Sequence, residues 1–226
     1  MCTPARSRIL AGQRAAALAF SLVFPLAALA GCDSNSEDDG HGHDEETEVI
    51  SVVQLSFTPV DGGDTIVAAF TDPDGDGGVS GTADPISLAL GTEYELSITL
   101  LNELEDPPID ITEEIREEAE DHFFFVLGEG VSGPGASSSP TLVSHAYADL
   151  ESDYGENLVG DDLPVGIVNT ITADAAGTGT LRVMLRHLPA LNDSPQKRGD
   201  LPQTLAEGGA LPGEVDVDVS FELTVL

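Results

Sequence analysis

Apolar and polar residues alternate with period two, glycine- and proline-rich breaks separate the alternating runs, and a single segment suits a helix. These three observations predict an all-β protein: an Ig-like antiparallel β-sandwich of about eight strands with one short inserted helix. No internal repeat is visible, which argues against a propeller or solenoid.

The elements follow in order from Val49. Val53, Leu55 and Phe57 share one face of a first strand, and "DGGD" at 61–64 turns the chain into a second over Thr65–Thr71. Tyr94, Leu96, Ile98 and Leu100 alternate with Glu93, Glu95, Ser97 and Thr99, the pattern of a strand with one face on a core. Asp110–His122, "DITEEIREEAEDH", lacks Gly and Pro and is rich in helix formers, so a helix of two to three turns is expected there. Asp110 and Glu113 have the spacing of a capping box. Further strands are expected over His122–Leu127, Thr141–Asp149 and Val165–Thr172, then around Leu181, Val183 and Leu185. Last, Val215, Val217, Val219, Phe221, Leu223 and Val225 share an apolar face opposite Asp216, Asp218, Ser220, Glu222 and Thr224.

The 48 residues before this region divide in two. Arg6, Arg8 and Arg14 precede an apolar run from Ala15 to Leu29, shorter than the roughly 18–20 residues of a bilayer-spanning helix. A basic start, an apolar core and a small-residue exit describe a secretory signal peptide. The exit Leu29-Ala30-Gly31-Cys32 resembles the lipobox of bacterial lipoproteins. That resemblance implies cleavage before Cys32 and its modification with acyl chains such as palmitate, two or more of which anchor a protein stably. Residues 1–31 are therefore read as the signal peptide, 32–48 as an acidic disordered tether, and 49–226 as the sandwich. The tether has no hydrophobic residue between Cys32 and Thr47, so it has nothing to bury. The expected location is the cell envelope, lipid-anchored, at the outer membrane or cell surface.

Cys2 and Cys32 are the only cysteines. One leaves with the signal peptide and the other is acylated, so the sandwich stands on its core without a disulfide. Eight basic residues face 41 acidic ones, a formal charge of −33, which becomes −36 once Arg6, Arg8 and Arg14 are removed. Such a field excludes nucleic acid as a partner and attracts cations. An acidic, lysine-poor surface also fits a source adapted to high salt.

The runs "SITLLNE" at 97–103, "DITEEIREEAEDHFFF" at 110–125 and "TLRVMLRHLP" at 180–189 resemble a family of uncharacterised bacterial lipoproteins. Some of its members carry a type 1 periplasmic-binding-fold label. That label implies a two-lobed α/β fold built from many βα units, which a chain with one visible helix does not supply. The resemblance also implies a partnership with a TonB-dependent outer-membrane receptor and a role in nutrient uptake.

Three groupings of residues point to cations. Glu114, Glu118 and His122 fall at i, i+4 and i+8, one face of the expected helix. His187 follows Leu181, Val183 and Leu185 at period two, which turns it inward at a strand end. Glu118, His122 and His187 together would offer the nitrogen and oxygen ligands that suit Zn²⁺ or a similar divalent transition metal. In "DPDGDGG", Asp72, Asp74 and Asp76 take the alternating positions of a Ca²⁺ loop, although Ala83 stands where the bidentate acid of an EF-hand belongs. His41 and His43 on the tether are auxiliary, weak metal ligands.

No enzyme is expected: G-x-S-x-G, H-E-x-x-H and P-loop motifs are absent. The leading expectation is a lipid-anchored binding protein that captures a divalent metal or metal complex for a TonB-dependent receptor. The alternative is a calcium-stabilised adhesion or structural module at the cell surface.

Overall fold

A computed structural model describes residues 49–75, 81–158, 160–192 and 194–226. Cys32, His41, His43 and Asp76 lie outside the described residues, as do the expected signal peptide and the whole of the expected tether. No helix among the described residues is long and apolar enough to cross a membrane.

The fold is an all-β sandwich of two sheets. Thirteen strands occur among the described residues: β1 (Val52–Pro59), β2 (Ile66–Thr71), β3 (Thr82–Ala83), β4 (Ile86–Leu88), β5 (Glu93–Asn102), β6 (Ile109–Asp110), β7 (His122–Leu127), β8 (Val131–Gly133), β9 (Ala136–Ser137), β10 (Val143–Tyr147), β11 (Val168–Ala173), β12 (Gly177–His187) and β13 (Glu214–Val225). The eight strands of five residues or more are β1, β2, β5, β7, β10, β11, β12 and β13. Each coincides with one of the eight alternating or apolar runs in the sequence. Of the five short strands, β4 and β8 run parallel to their long neighbours β13 and β10, and the remaining pairings are antiparallel. A two-lobed α/β fold is not what these residues form.

The larger sheet runs β3-β2-β1-β5-β11-β10-β8-β9, with β6 beside β5, and the smaller runs β4-β13-β12-β7. Their facing sides share one core. Leu55, Phe57, Tyr94, Leu96, Ile98, Leu100 and Ile171 enter it from the larger sheet, and Phe124, Val126, Leu181, Val183, Leu185, Phe221 and Leu223 from the smaller. Each fully buried side chain of this kind contributes about 1.5–3 kcal/mol relative to an exposed one.

Strand β7, "HFFFVL", is buried at every position. Its even-numbered residues Phe124 and Val126 face the main core, while Phe123, Phe125 and Leu127 face a second cluster with Met184, Leu188 and Leu201. The cover on that outer side is α2 (Leu201–Ala206), an element absent from the sequence reading. Pro202 in its first turn is compatible with a helix start, and Gly208 just beyond it has φ +78°, suited to leaving a helix.

The first helix is shorter than its composition predicts. Helix α1 spans only Thr112–Glu117. Its N-cap is Ile111, without a side-chain cap, while Asp110 Oδ1 accepts the Thr112 N–H at 2.9 Å. Glu118 already leaves helical geometry, with φ −109° and ψ 37°, and the chain turns through the bond from the Asp121 N–H to the Glu118 carbonyl. His122 therefore opens β7 rather than closing a helix. Strand pairing wins because residues 123–127 have two apolar clusters to enter, whereas extending a short acidic helix would bury nothing.

A second departure lies on β13. The β12–β13 register slips between Leu185 and Arg186: Leu185 opposes Val217, Arg186 opposes Val215, and Asp216 is the extra residue. Such a β-bulge re-aims side chains. Val215, expected inside, is 47 % exposed, and Asp216, expected outside, is half-buried.

The segment between β10 and β11 is organised by buried polar groups. Asp149 accepts the Gly166 N–H at 2.7 Å, the Val168 N–H at 3.0 Å and the Tyr154 hydroxyl at 2.8 Å. Glu151 and Lys197 form an ion pair at 2.7 Å with both side chains buried, and the same ammonium donates to the Ala119 carbonyl at 2.7 Å. This pins the turn after α1, one residue from Glu118.

Candidate metal centre

At one end of the smaller sheet, the first residue of β7 and the last of β12 stand directly opposite each other: His122 pairs with His187. Opposed residues of neighbouring strands share a face. Their imidazoles stack with centroids 4.7 Å apart and planes 5° from parallel. Glu118 reaches the same point from the turn after α1. One donor atom each from Glu118, His122 and His187 lies within 4.8 Å of the others, and this is the only group of three such residues so placed among the described residues.

His122 is 1 % exposed, and its Nδ1 lies 3.1 Å from the Glu118 carbonyl oxygen and 4.0 Å from the Glu118 carboxylate. A carbonyl only accepts, so Nδ1 carries the proton and Nε2 holds the free lone pair. That Nε2 is buried without a hydrogen-bond partner. Burial is the main force holding the His122 pKa down to about 4, with the Glu118 carbonyl opposing it and the His187 and Lys197 charges adding to it. The ring is thus neutral at ordinary pH, as a metal ligand must be. The donor set, two imidazoles and a carboxylate, is one that zinc takes. Parallel ring planes do not converge on one point, so sharing an ion at about 2.0–2.1 Å requires one ring to turn. His187, at a strand end and only half-buried, is the freer of the two.

Other expected ligands fall elsewhere. Glu114 lies within α1, exposed and outside the group, because the helix ends before a third turn can align it. Asp72 and Asp74 follow β2 on the larger sheet and are not part of the group formed by Glu118, His122 and His187. Asp72 is buried and Asp74 exposed, and Asp76, the third of the expected calcium ligands, lies outside the described residues.

Two groups escaped the sequence reading. Asp216, at the bulge, has a buried Oδ2 without a hydrogen-bond partner, and burial pushes its carboxyl above the usual range. His145 on β10 is 5 % exposed; its Nε2 lies 2.8 Å from Asn169 Oδ1, while Asn169 Nδ2 donates to the Gly166 carbonyl at 2.7 Å. The fixed amide makes His145 Nε2 the donor and leaves Nδ1 as an acceptor, buried and without a partner. Period-two parity inside Thr141–Asp149 places His145 inward with Val143 and could have drawn attention to it. Nothing in the sequence marks the bulge.

Comparison of the chain with family models, curated proteins and solved structures gives no match.

Proposed function

We propose that this protein binds a divalent transition metal, Zn²⁺ or a similar ion, through Glu118, His122 and His187. The observation that carries this reading is the convergence of one carboxylate and two imidazoles within 4.8 Å, one imidazole being buried with a lone pair that nothing else uses. A buried unpartnered nitrogen costs about 1–3 kcal/mol, a cost that a bound ion removes. The function that follows is capture, not catalysis: a cell-envelope binding protein, lipid-anchored through Cys32, that holds a metal or metal complex for a TonB-dependent receptor. The "LAGC" exit at 29–32 supports the anchor, and the resemblance to envelope lipoproteins supports the receptor.

Titration calorimetry of the purified full-length chain tests the metal site, in a His41→Ala/His43→Ala background that silences the tether. One equivalent of Zn²⁺ should bind, and His122→Ala or His187→Ala should each abolish the binding. Zinc binding indifferent to both variants would overturn the assignment. Calcium binding alone would favour a calcium-stabilised surface module instead. The anchor is tested separately: labelled palmitate should enter the wild-type chain and not Cys32→Ser.

A further inference from the structure

Three aligned strands end in one row: His122 on β7 opposes His187 on β12, which opposes Glu214 on β13. Next to this row the bulge inserts Asp216, and it does so at a cost. Without the extra residue, strict alternation would turn position 216 to solvent, where a carboxylate belongs. With it, an Asp216 oxygen is buried and unpartnered. Buried polar atoms are nearly always hydrogen-bonded, so an orphaned carboxylate oxygen calls for a missing donor or cation. Only three such atoms occur among the described residues, and His122 Nε2 and Asp216 Oδ2 are two of them. His122 opposes His187, and Asp216 lies two residues along β13 from Glu214, which also opposes His187, close enough for the His187 charge to act on the Asp216 carboxyl. Asp216 is not within the 4.8 Å group that could share an ion directly.

We propose that Asp216 is a positioning residue of the metal centre: when the His187 ring turns out of its stack and binds the ion through one nitrogen, its other nitrogen donates its N–H to Asp216 Oδ2. This inference rests on the metal-binding reading of Glu118, His122 and His187. A carboxylate behind a ligating histidine fixes the ring's tautomer and orientation and makes the ligating nitrogen more basic. The arrangement also explains the uneven environments of the two histidines. The Glu118 carbonyl already orients His122, at 3.1 Å from Nδ1, whereas among the described residues the His187 ring has only its stack on His122 until it meets Asp216. The bulge is the backbone device that brings the carboxylate to that place.

The test compares Asp216→Asn with wild type and with Glu222→Gln, which removes one exposed charge from the same strand. Zinc affinity is read by competition with a chromophoric chelator, stability of the metal-free chain by urea unfolding, and the His187 tautomer by ¹⁵N NMR of the zinc-loaded protein. Asp216→Asn should weaken zinc binding roughly 10–100-fold and alter the His187 ring signals, with stability of the metal-free chain unchanged or raised. Glu222→Gln should leave all three readings near wild type. Unchanged zinc affinity in Asp216→Asn would overturn the inference while leaving the metal site standing. So would a loss of affinity that merely tracks a loss of stability, or an equal loss in Glu222→Gln. If the wild-type chain fails to bind zinc, the metal reading and this inference fall together.

Discussion

His122 combines two properties that pull against each other: it is almost fully buried, and one of its nitrogens has no partner. Its pKa in the folded chain, about 4, lies below its ordinary 6.5, so the unfolded chain binds more protons between those values. Stability of the metal-free protein is therefore fully present above pH 6.5 and drains away as the pH falls toward 4. The loss from this residue totals about 3 kcal/mol, at 1.36 kcal/mol per unit. His145 acts in the same direction, because burial lowers it and the Asn169 contact only partly offsets that. Urea midpoints of the metal-free chain at pH 7 and pH 5 should differ accordingly, and His122→Gln should flatten part of the dependence. Saturating zinc should make the protein still more pH-sensitive, since ligation requires the neutral ring.

Among the elements, the connections decide more than the strands do. The turn that carries Glu118 is held by Lys197, whose ammonium bridges the Ala119 carbonyl and the Glu151 carboxylate inside the protein. Lys197→Met keeps the aliphatic stem and removes the charge, leaving Glu151 buried without its cation. A cost of about 3–5 kcal/mol is expected by denaturant unfolding, far above that of an exposed pair such as Arg182–Asp218. Gly213 performs a comparable service at the start of β13. It has φ +69°, and a Cβ there would sit 2.0 Å from the His187 carbonyl oxygen. Gly213→Ala combines a left-handed backbone with a backbone clash and should destabilise the chain by at least about 2 kcal/mol. Because the clash falls on His187, zinc affinity should drop in the same variant.

For the molecule as a whole, the governing quantity is charge. At −33, with exposed carboxylates spread over the described surface, self-repulsion opposes the compact state. Salt screens it, the Debye length shrinking from about 10 Å at 0.1 M to about 3 Å at 1 M. The melting temperature should therefore rise with sodium chloride between 0.05 M and 1 M, measured by circular dichroism. A flat or falling curve would show that self-repulsion of the carboxylates does not limit stability. The same field concentrates divalent cations near the surface, so the proposed centre at His122 and His187 should load faster at low ionic strength.

The eight long strands were legible because period-two burial is local: whether Leu96 or Glu95 faces the core follows from the pleat alone. The convergence of His122 and His187 was legible in part: period two turns His187 inward, while His122 is claimed both by the end of the expected helix and by the start of the expected strand His122–Leu127, and only the strand forms there. Helix α1 stops at Glu117 because β7 gains two apolar clusters by beginning at His122, and one of those clusters requires α2, about 80 residues further on. No local propensity contains that information. The bulge at Asp216 likewise arises where β13 pairs with β12, so alternation read along β13 alone places Val215 and Asp216 on the wrong sides. By itself the sequence determined the class of fold, the acidic surface and, away from the β13 bulge, the inward-facing side chains of the long strands. Only the tertiary structure decided which of them meet, because register, bulges and covering helices are settled by contacts between segments distant in the chain.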